Sequence, residues 1–359
     1  MRIALISPTG RSGGAAYSEA LSGVLDAAVL SAELPVAGLW STVFRRRYDI
    51  VDVQFEYKTF GSHIRTLVAL PVLAALLRSS PVGVLTLHGV ITRDSLRGDR
   101  LLPLKWFGYV LSVRLASLFF RAVLVHSEQM RLSLLRYGIT NAIVVPHGSR
   151  QAEFSAQEAS RRGVLFFGFI RPSKGIADLI SGFQLVKERS RDTKLTIAGS
   201  VRNEQEASHL AALRRHADDL GLGGSVDFRI GYVSEIDKEL ANLDVGILVL
   251  PYTDRFVEVS GVVHDLACLG TALVCSDTPR FSELRDGVNC LKVGNRPEEL
   301  AEAVIRLLDD VKLREEISRN LADFARVTSW ARVGETRMRL YAQLLGSKSR
   351  EADRPKSEL

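Results

Sequence analysis

The sequence is poor in cysteine, and the few cysteines exclude a disulfide framework. There are three among 359 residues, an odd number without the spacing of metal ligands: Cys268, Cys275 and Cys290. They fall in apolar or strand-like surroundings, where cysteines are usually buried reduced thiols. We therefore expect no disulfide, no metal site and no resident cofactor.

Long hydrophobic runs are also missing. The most apolar stretch, Leu101–Phe120, is interrupted by Lys105 and Arg114, so we interpret it as an amphipathic or buried helix. No uninterrupted run is long enough to cross a bilayer. The first predicted strand begins at Arg2, which leaves no room for a signal peptide. These absences predict a cytoplasmic protein.

Positive charge is concentrated in the first half of the chain. Residues 1–150 carry 17 Lys or Arg against 9 Asp or Glu, whereas residues 151–359 carry 30 against 32. A basic excess of this kind indicates an acidic partner. Nucleic acid is disfavoured, because the sequence contains no helix-turn-helix pattern, zinc finger or aromatic-interleaved basic platform. An anionic membrane surface or a phosphorylated acceptor fits better, and a merely solvated basic face is the alternative.

Short apolar runs alternate with segments of helical periodicity, which is typical of parallel sheets with crossover helices. We predict an α/β fold with two doubly wound, Rossmann-like domains facing each other across a cleft. The predicted strands are Arg2–Ser7, Ile50–Phe55, Val82–Leu87, Ala122–Val125 and Ala142–Val145, then Gly163–Phe167, Lys194–Ala198, Val226–Arg229, Val245–Leu250, Ala272–Cys275 and Cys290–Val293. The predicted helices are Ala16–Leu25, His63–Leu77, Leu102–Phe120, Glu128–Tyr137, Ile176–Lys187, Glu204–Leu220, Ile236–Asn242, Gly261–Leu269 and Glu298–Asp309.

A polar segment rich in Ser, Arg and Glu interrupts this alternation near the middle of the chain. We predict a first domain over residues 1–150, a linker over 151–162 and a second domain over 163–327. A further helix is expected over 328–345. The charged residues 346–359 are expected to form a disordered tail.

The most informative segment is residues 164–175. There an apolar strand leads through a turn containing Arg171 and Lys174 into a helix that begins at Ile176. A helix N-terminus beside the end of a strand offers backbone N–H groups and a favourable dipole to a phosphate. We predict a phosphorylated ligand here, with ordinary surface cations as the alternative.

Other loops follow the carboxyl ends of predicted strands, where ligands of such sheets bind. In the first half these loops contain Gly13 and Gly14, His88, His126, and the triplet 146–148 with His147. In the second half they contain Gly168, Gly199 with Ser200, Tyr232 with Val233, and the run 251–270.

In this order and spacing, the loops resemble those of retaining glycosyltransferases of the GT-B fold, specifically glycosyltransferase family 4, over nearly the whole chain. The resemblance implies transfer of a sugar from a nucleotide-diphospho-sugar donor to an acceptor hydroxyl. It implies that residues 1–150 serve the acceptor and 163–327 bind the nucleotide-sugar. Ser329 and Trp330 with the following helix resemble the last helix of the family, which crosses back to the first domain.

By the same resemblance, Arg171 and Lys174 neutralise the charge that develops on the leaving diphosphate. No divalent metal is then required, and the sequence contains no Asp-x-Asp triplet of the kind that metal-using glycosyltransferases employ. Gly13 and Gly14 would lie close to the diphosphate and the acceptor, although a tight turn explains two glycines equally well. His88 would contact the donor sugar or organise the acceptor side, unless it is a structural histidine.

Two further pairs of side chains lie at the ends of first-half strands. Gln54 and Glu56 follow the second predicted strand and face either the acceptor or solvent. His126 and His147 match the His-Ser and Pro-His-Gly signatures of the family. We expect both to be structural or hinge-lining.

A family motif of two glutamates separated by seven residues is degenerate in this chain. Counting back from Gly270, its positions hold Val257 and Asp265. Asp265 keeps a carboxylate for the ribose hydroxyls, and Glu258 is the candidate for the sugar-facing carboxylate or is an exposed loop residue. Backbone N–H groups that could receive the diphosphate belong to Ser260, Gly261 and Val262. The base would pack around Gly168, Gly199, Tyr232 and Val233.

The resulting prediction is a metal-independent hexosyltransferase, with a role in cell-surface polysaccharide or glycolipid synthesis. A non-catalytic nucleotide-sugar-binding protein is one alternative, suggested by the missing first glutamate. A nucleotide-sugar epimerase of the same fold is another, but it would need clustered acid and base groups that the sequence lacks.

Two basic segments predict weak contact with anionic lipid at the inner membrane face. They are Arg45–Arg47 and the helix start Lys105–Phe107, which adds an aromatic anchor. The acceptor would then be a glycan or a lipid-linked sugar. A solvated surface with a soluble acceptor is the alternative.

Overall fold

The computed structural model describes residues 1–8, 12–32, 35–56, 63–77, 81–96, 102–151, 161–231 and 244–352. The chain forms two compact units. The first unit comprises Met1–Gly148, Phe256–Val259 and Thr328–Leu359, and the second comprises Ser149–Arg255 and Ser260–Val327. The chain therefore returns briefly to the first unit before it completes the second.

The first unit is built on a six-stranded parallel sheet in the order β2-β1-β3-β4-β6-β7. A two-stranded antiparallel pair joins β5 to β12. The strands are β1 Ile3–Ser7, β2 Ala28–Ser31, β3 Ile50–Phe55, β4 Val82–Leu87, β5 Gly89–Val90, β6 Ala122–Val125, β7 Ala142–Val144 and β12 Val257–Glu258. The helices are α1 Gly13–Leu25, α2 Val36–Arg46, α3 His63–Leu76, α4 Leu102–Ser117, α5 Glu128–Leu135 and α11 Trp330–Ala352.

The second unit is built on another six-stranded parallel sheet, in the order β10-β9-β8-β11-β13-β14. Its strands are β8 Gly163–Phe167, β9 Leu195–Gly199, β10 Val226–Ile230, β11 Val245–Leu250, β13 Ala272–Ser276 and β14 Leu291–Val293. Its helices are α6 Ile176–Arg189, α7 Glu204–Asp219, α8 Gly261–Leu266, α9 Pro297–Asp309 and α10 Val311–Val327.

The central strands of both sheets are buried on both faces. β4 and β11 are buried at every position, as expected for parallel strands that carry helices on each side. In the first unit one face packs α1 and α11 onto the sheet, with Tyr17, Val333 and Tyr341 in that cluster. The second unit has a single large core.

The order of the strands reverses once in each sheet, and the position of that reversal predicts where a ligand binds. In the first unit the reversal lies between β1 and β3, and in the second between β8 and β11. The loops after these four strands carry most of the side chains singled out from the sequence.

The expected α/β architecture is confirmed, and the predicted strands are present. Four elements of the first unit were missed: β2, α2 and the two-residue strands β5 and β12. β2 is a short edge strand with an exposed Val29. The charged helix α10 was missed in the second unit. The predicted helix Leu102–Phe120 ends at Ser117, and Gly261–Leu269 ends at Leu266 and continues as a 3-10 turn.

The C-terminal helix continues to Ala352, past the Leu345 where the sequence analysis ends it. The tail prediction therefore does not hold for residues 346–352, and 353–359 lie outside the described residues. The predicted helix Ile236–Asn242 also lies outside the described residues, as does the core of the predicted linker, 152–160.

Candidate functional site

In the second unit, the turn that follows β8 is held against the segment that follows β11. Pro172–Lys174 form a 3-10 turn, and Gly175 adopts a φ of 65° before α6 begins. A Cβ at Gly175 would collide with the carbonyl oxygen of Pro251. Glycine is thus needed both for the left-handed backbone and for this close approach.

Lys174 is buried against an aromatic ring. Its side chain is 5% exposed, and its Nζ lies 3.4 Å from the ring centroid of Tyr252. Arg280 lies near the same ring at 5.4 Å and forms an ion pair of 2.7 Å with Asp254. Burial raises the pKa of Tyr252 to about 12, although Arg280 opposes this shift. The ring therefore stays neutral between two cations, and cation–π attraction fixes the position of Lys174.

Buried polar atoms without a partner gather at this edge of the second sheet. Within the described part of the chain they include Arg171 Nε, Ser200 Oγ, Asp254 Oδ2 and Asn295 Oδ1. Buried polar groups normally have hydrogen-bond partners. Their accumulation beyond the strand ends suits a polar ligand that supplies the missing contacts.

The other predicted residues of this unit surround the same edge. A Cβ at Gly199 would collide with the carbonyl oxygen of Gly168, so the two loops approach closely, and Val262 Cγ2 would lie 3.9 Å from a Cβ at Gly168. Ser260 is buried and precedes Gly261, where α8 begins. Asp265 lies half-buried on the same short helix. Tyr232 and Val233 lie outside the described residues.

In the first unit, a buried ion pair joins the C-terminal helix to the sheet. Arg337 Nη1 lies 2.5 Å from Asp52 Oδ2, and both side chains are fully buried. Thr86 and Tyr341 donate to the same carboxylate at 2.7 and 2.6 Å, and Arg337 donates to Tyr17 at 3.0 Å. Although burial opposes the charge, Tyr17, Tyr341 and Asp52 hold the pKa of Arg337 above its ordinary value.

A histidine cluster continues this polar layer towards the carboxyl ends of the strands. His126 contacts the carbonyl oxygen of Val145 at 3.0 Å and His88 at 3.3 Å, and His88 contacts Gln54 at 3.1 Å. Burial lowers the pKa of His88 to about 3, and Arg337 adds to the effect. Burial also lowers the pKa of His126 well below its ordinary value. Both rings are therefore neutral at physiological pH.

Aromatic rings enclose this cluster. Tyr17 packs against His88 at 4.6 Å, His147 at 4.8 Å and Trp330 at 5.0 Å between ring centroids. A Cβ at Gly148 would collide with the ring of Trp330. This close packing explains why a glycine follows His147 in the Pro-His-Gly segment. It is consistent with the structural role expected for His147.

Two carboxyl groups of the first unit lie close enough to influence each other electrostatically. Glu56 occupies the space beside Gly14, whose backbone N–H it accepts, and Glu258 lies over Gly89. Burial raises the pKa of Glu56, and the charge of Glu258 raises it further. The close approach at Gly14 is thus to the side chain of Glu56. Among the described residues, no atom lies within 4 Å of a Cβ at Gly13.

The predicted catalytic residues divide between the two units. Arg171 and Lys174 belong to the second unit, whereas His88 and Glu258 belong to the first. Glu258 is part of β12, paired with β5, rather than a residue of the loop before α8. Val257, at the expected position of the first glutamate, is buried in the core of the first unit.

Sequence analysis missed the partners that hold these residues in place. Tyr252 and Arg280 flank Lys174, and Arg337 and Tyr17 support the histidine cluster. The position of Tyr252 could have been found from the sequence, since it lies just after the end of the apolar strand β11. The position of Arg337 could not, because its partner Asp52 is 285 positions away.

Several absences apply to the described ranges alone. No three His, Cys, Asp or Glu side chains there are grouped so that they could hold a metal ion. Cys275 and Cys290 are buried and Cys268 is half-buried, all as free thiols. No helix in the described part of the chain is long and apolar enough to span a membrane.

A family model described as Glycosyl transferases group 1 matches residues 161–310. These residues belong to the second unit, except for Phe256–Val259 of the first. For this part of the chain, the match confirms the predicted resemblance to group 1 glycosyltransferases. Alpha-D-kanosaminyltransferase of Streptomyces kanamyceticus is 29% identical over 161 residues, which is 44% of this chain and 39% of that protein.

A second relative and a solved structure extend the comparison. Phosphatidyl-myo-inositol mannosyltransferase of Mycobacterium leprae is 28% identical over 221 residues, 59% of this chain and 56% of that protein. The chain thus spans about half the length of the curated relatives it matches. Anabaena Alr3699/HepE, crystallised with UDP-glucose, has a TM-score of 0.74 at 17% identity and covers 97% of this chain and 100% of its own. The fold is therefore that of GT-B proteins.

Proposed function

We propose, on the premise that residues 161–310 match the group 1 glycosyl transferases, that this protein is a retaining, metal-independent glycosyltransferase. It moves a hexose-type sugar from a nucleotide-diphospho-sugar to an acceptor hydroxyl. The names of its relatives support the class, since two of them are sugar transferases. The donor fits a UDP-sugar, the ligand of the Anabaena structure.

One observation carries this proposal. Arg171 and the buried Lys174 stand in the turn after β8, at the reversal point of the second sheet, among buried polar atoms that have no partner in the described residues. During transfer, the bond from the anomeric carbon to the diphosphate oxygen breaks, and the diphosphate leaves with the electron pair. Cations fixed beside that oxygen stabilise the charge that develops there.

The remaining residues take supporting roles. Backbone N–H groups of Ser260, Gly261 and Val262 face the diphosphate, and Asp265 binds the ribose. Gly168 and Gly199 make room for the nucleotide, as do Tyr232 and Val233. In the first unit, His88 and Glu258 orient the acceptor hydroxyl. Its oxygen bonds to the anomeric carbon, and its proton passes to the oxygen of the departing diphosphate. Gly13 and Gly14 shape that loop.

The donor assignment is tested by a thermal-shift screen of the intact chain. UDP, GDP, ADP and TDP and their sugars are added one at a time, because a ligand that binds only the native state raises the melting temperature. One nucleotide series should raise it, and its sugar should be transferred or hydrolysed in the presence of EDTA. Turnover that EDTA abolishes and Mg or Mn restores would contradict the metal-independent role of Arg171 and Lys174.

Catalysis is separated from mere binding by two substitutions. Asp265→Ala should chiefly raise the donor KM, whereas Glu258→Gln should lower kcat, since only an interaction that is stronger in the transition state affects that constant. Donor binding without any transfer or hydrolysis would favour the alternative of a nucleotide-sugar-binding protein.

We also propose that the first unit contacts an anionic membrane, which makes a lipid-linked sugar the natural acceptor. α2 exposes Trp40 and Phe44, stacked at 5.3 Å, directly before Arg45–Arg47. α4 exposes a stripe at helical spacing, consisting of Leu104, Phe107, Leu111 and Leu115. The predicted anchor within that segment changes: Trp106 packs on Tyr137, and Phe107 is the exposed ring.

Co-sedimentation with phosphatidylglycerol-containing vesicles tests the membrane contact. The chain should pellet at low salt and less at high salt, because each basic residue near such a surface contributes about 1 kcal/mol. Phe44→Ser with Phe107→Ser should weaken pelleting, whereas Val327→Ser, an exposed site of the second unit, should not. Failure to pellet at low salt would remove the membrane proposal and leave the transferase proposal intact.

A further inference from the structure

A buried histidine of the second unit joins three segments that are far apart in the sequence. His264 is fully buried on α8, and its Nδ1 lies 2.7 Å from Ser149 Oγ. Its Nε2 lies 3.0 Å from Glu283 Oε1, just after the 3-10 turn Pro279–Phe281. Because a carboxylate only accepts hydrogen bonds, Nε2 donates there, and the Ser149 hydroxyl can donate to Nδ1. Both ring nitrogens therefore have partners.

A serine, a histidine and a glutamate in one hydrogen-bonded row have the composition of a hydrolytic triad. The nucleophile of such a triad must reach its substrate. Ser149 is 1% exposed and His264 is fully buried, so no substrate can contact the hydroxyl. The row is therefore built to hold the chain in place.

The histidine lies where the chain enters and leaves the second unit. Ser149 and Arg150 are the first residues of this unit and form the crossing segment. The unit resumes at Ser260, directly before α8. The N–H group of Arg150 donates to the carbonyl oxygen of His264 at 3.0 Å. Phe324, close to the end of the unit, packs its ring 5.5 Å from the His264 ring. Side chain and main chain of His264 thus both fix the crossing segment to α8.

The shortness of α8 explains why it needs such an anchor. It has six residues, so few of its backbone groups are paired within the helix, and Ser260 makes no side-chain cap bond at its start. Val263 and Leu266 pack in the core, but apolar contacts are non-directional. The hydrogen bonds of His264 add the direction that sets the rotation of the helix. They thereby set the position of the next residue, Asp265.

We propose that His264 is a positioning residue, which holds Asp265 in place for the ribose of the donor and couples donor binding to the crossing segment. A nucleotide that binds Asp265 makes α8 more rigid, and the crossing segment becomes more rigid with it. The identity of the ligand rests on the proposed function, whereas the anchor itself does not.

The affinity for UDP, measured by isothermal titration of the intact chain, tests the positioning role. His264→Leu removes both bonds of the ring and should raise the Kd about tenfold. His264→Asn places its amide group where Nδ1 stands and keeps the bond to Ser149, whereas His264→Gln keeps the bond to Glu283. Each of these two variants should raise the Kd only about threefold.

A double-mutant cycle shows whether Ser149 acts through the histidine. Ser149→Ala loses a single hydroxyl and should raise the Kd about threefold in the wild type, but not further in His264→Leu. Should His264→Leu fail to fold, Ser149→Ala and the two amide variants decide the question. A Kd that is unchanged in all the variants that fold would overturn the positioning role.

A buried arginine of the same unit provides the control for lost stability. Arg314 is 1% exposed on α10 and donates to the carbonyl oxygens of Leu307 and Leu308 at the end of α9. Arg314→Met should lower the melting temperature and leave the Kd for UDP unchanged. An equal loss of affinity in Arg314→Met and His264→Leu would assign the effect to stability alone and overturn the positioning role.

Hydrogen exchange tests the coupling to the crossing segment. UDP should slow exchange of the Arg150 amide about tenfold in the wild type and less than threefold in Ser149→Ala. Equal protection in the two proteins, or no protection in a wild type that binds UDP, would overturn the coupling.

Failure of the proposed function has a different signature. If none of UDP, GDP, ADP and TDP binds, the transferase proposal is contradicted, and the anchor is tested in the ligand-free chain. There His264→Leu should speed exchange at Arg150 and in α8 about tenfold, whereas Arg314→Met should not. Exchange that is unchanged in His264→Leu would overturn the anchor as well.

Discussion

The two units share one architecture but use their buried polar groups differently. In the first unit Asp52, Arg337, Tyr341 and Thr86 bind one another beneath α11. In the second unit, Arg171 and several other buried atoms at the equivalent edge have no partner in the described residues. Unpartnered buried atoms occur in both units of the described chain, such as Arg337 Nε in the first, but in the second they lie beside the turn that carries Arg171 and Lys174.

The two units also differ in what occupies the point where the strand order reverses. The first sheet reverses between β1 and β3, and the second between β8 and β11. At the first reversal the chain fills the space with its own Glu56 against α1. At the second reversal the loop carries cations at a turn rich in glycine and proline. Testing the comparison requires substitutions in each unit.

The largest effect is expected in the closed polar layer. Arg337→Met should lower the free energy of unfolding of the first unit by about 3–5 kcal/mol, because it leaves Asp52 buried without its counter-charge. Urea unfolding followed by circular dichroism measures it. Arg189→Met removes an exposed pair with Asp309 and should cost less than about 1 kcal/mol. Equal effects of the two changes would contradict the view that Arg337 closes this layer.

The second prediction concerns the cations of the second unit. Lys174→Ala and Arg171→Ala should each lower turnover about a hundredfold, or about 3 kcal/mol, while the fold persists. Steady-state kinetics and a circular dichroism spectrum measure both quantities. Lys194→Ala, an exposed lysine of the second unit, serves as the matched control and should leave turnover unchanged. Normal transfer by both loop variants would refute the donor-site assignment.

Acid should destabilise the first unit through its histidines. In the unfolded chain His88 and His126 bind protons below about pH 6.5, whereas in the fold the pKa of His88 is about 3 and that of His126 is well below its ordinary value. The unfolded state binds more protons, so stability is complete above pH 6.5 and falls as the pH decreases towards 3. Each histidine contributes up to about 1.4 kcal/mol per pH unit.

Urea midpoints at pH 7, 6 and 5 measure this slope. His126→Asn should flatten it. A slope that is the same in the wild type and in His126→Asn would show that the cluster does not titrate as described.

The smallest effect is expected at the ring beneath Lys174. Tyr252→Leu removes the cation–π contact, worth about 0.5–2 kcal/mol, and should weaken donor binding by about tenfold. Tyr252→Phe retains the ring and should bind nearly as well as the wild type. Isothermal titration with the nucleotide found in the screen measures both. Equal weakening in the two variants would assign the effect to the hydroxyl group instead.

Local sequence patterns predicted those structural features that depend on residues close together in the sequence. Apolar runs located the central strands, and the turn around Arg171 and Lys174 was found because strand, cations and helix follow one another directly. β2 was missed because an edge strand with an exposed Val29 lacks the continuous apolar run of a central strand. The role of Gly14 was predicted from the need for close approach, but the group that approaches is Glu56.

Long-range pairing could not be predicted in the same way. In the sequence, Arg337 is indistinguishable from the other charged residues of an amphipathic helix. Only the fold brings it to Asp52. Glu258 was expected beside the donor sugar, because counting back from Gly270 assumes that the residues before α8 form one continuous loop. Its pairing with Gly89 places it in the other unit. A pattern within one segment carries no information about such partners.

The divided course of the chain has a consequence for its synthesis on the ribosome. The first unit contains Arg337 and β12, which are made after most of the second unit. Until they emerge, Asp52 lacks its counter-charge, and α1 lacks the helix that covers it. The second unit needs nothing beyond Val327. Domains of most proteins fold in the order in which they are made; here the half that is translated first is completed last.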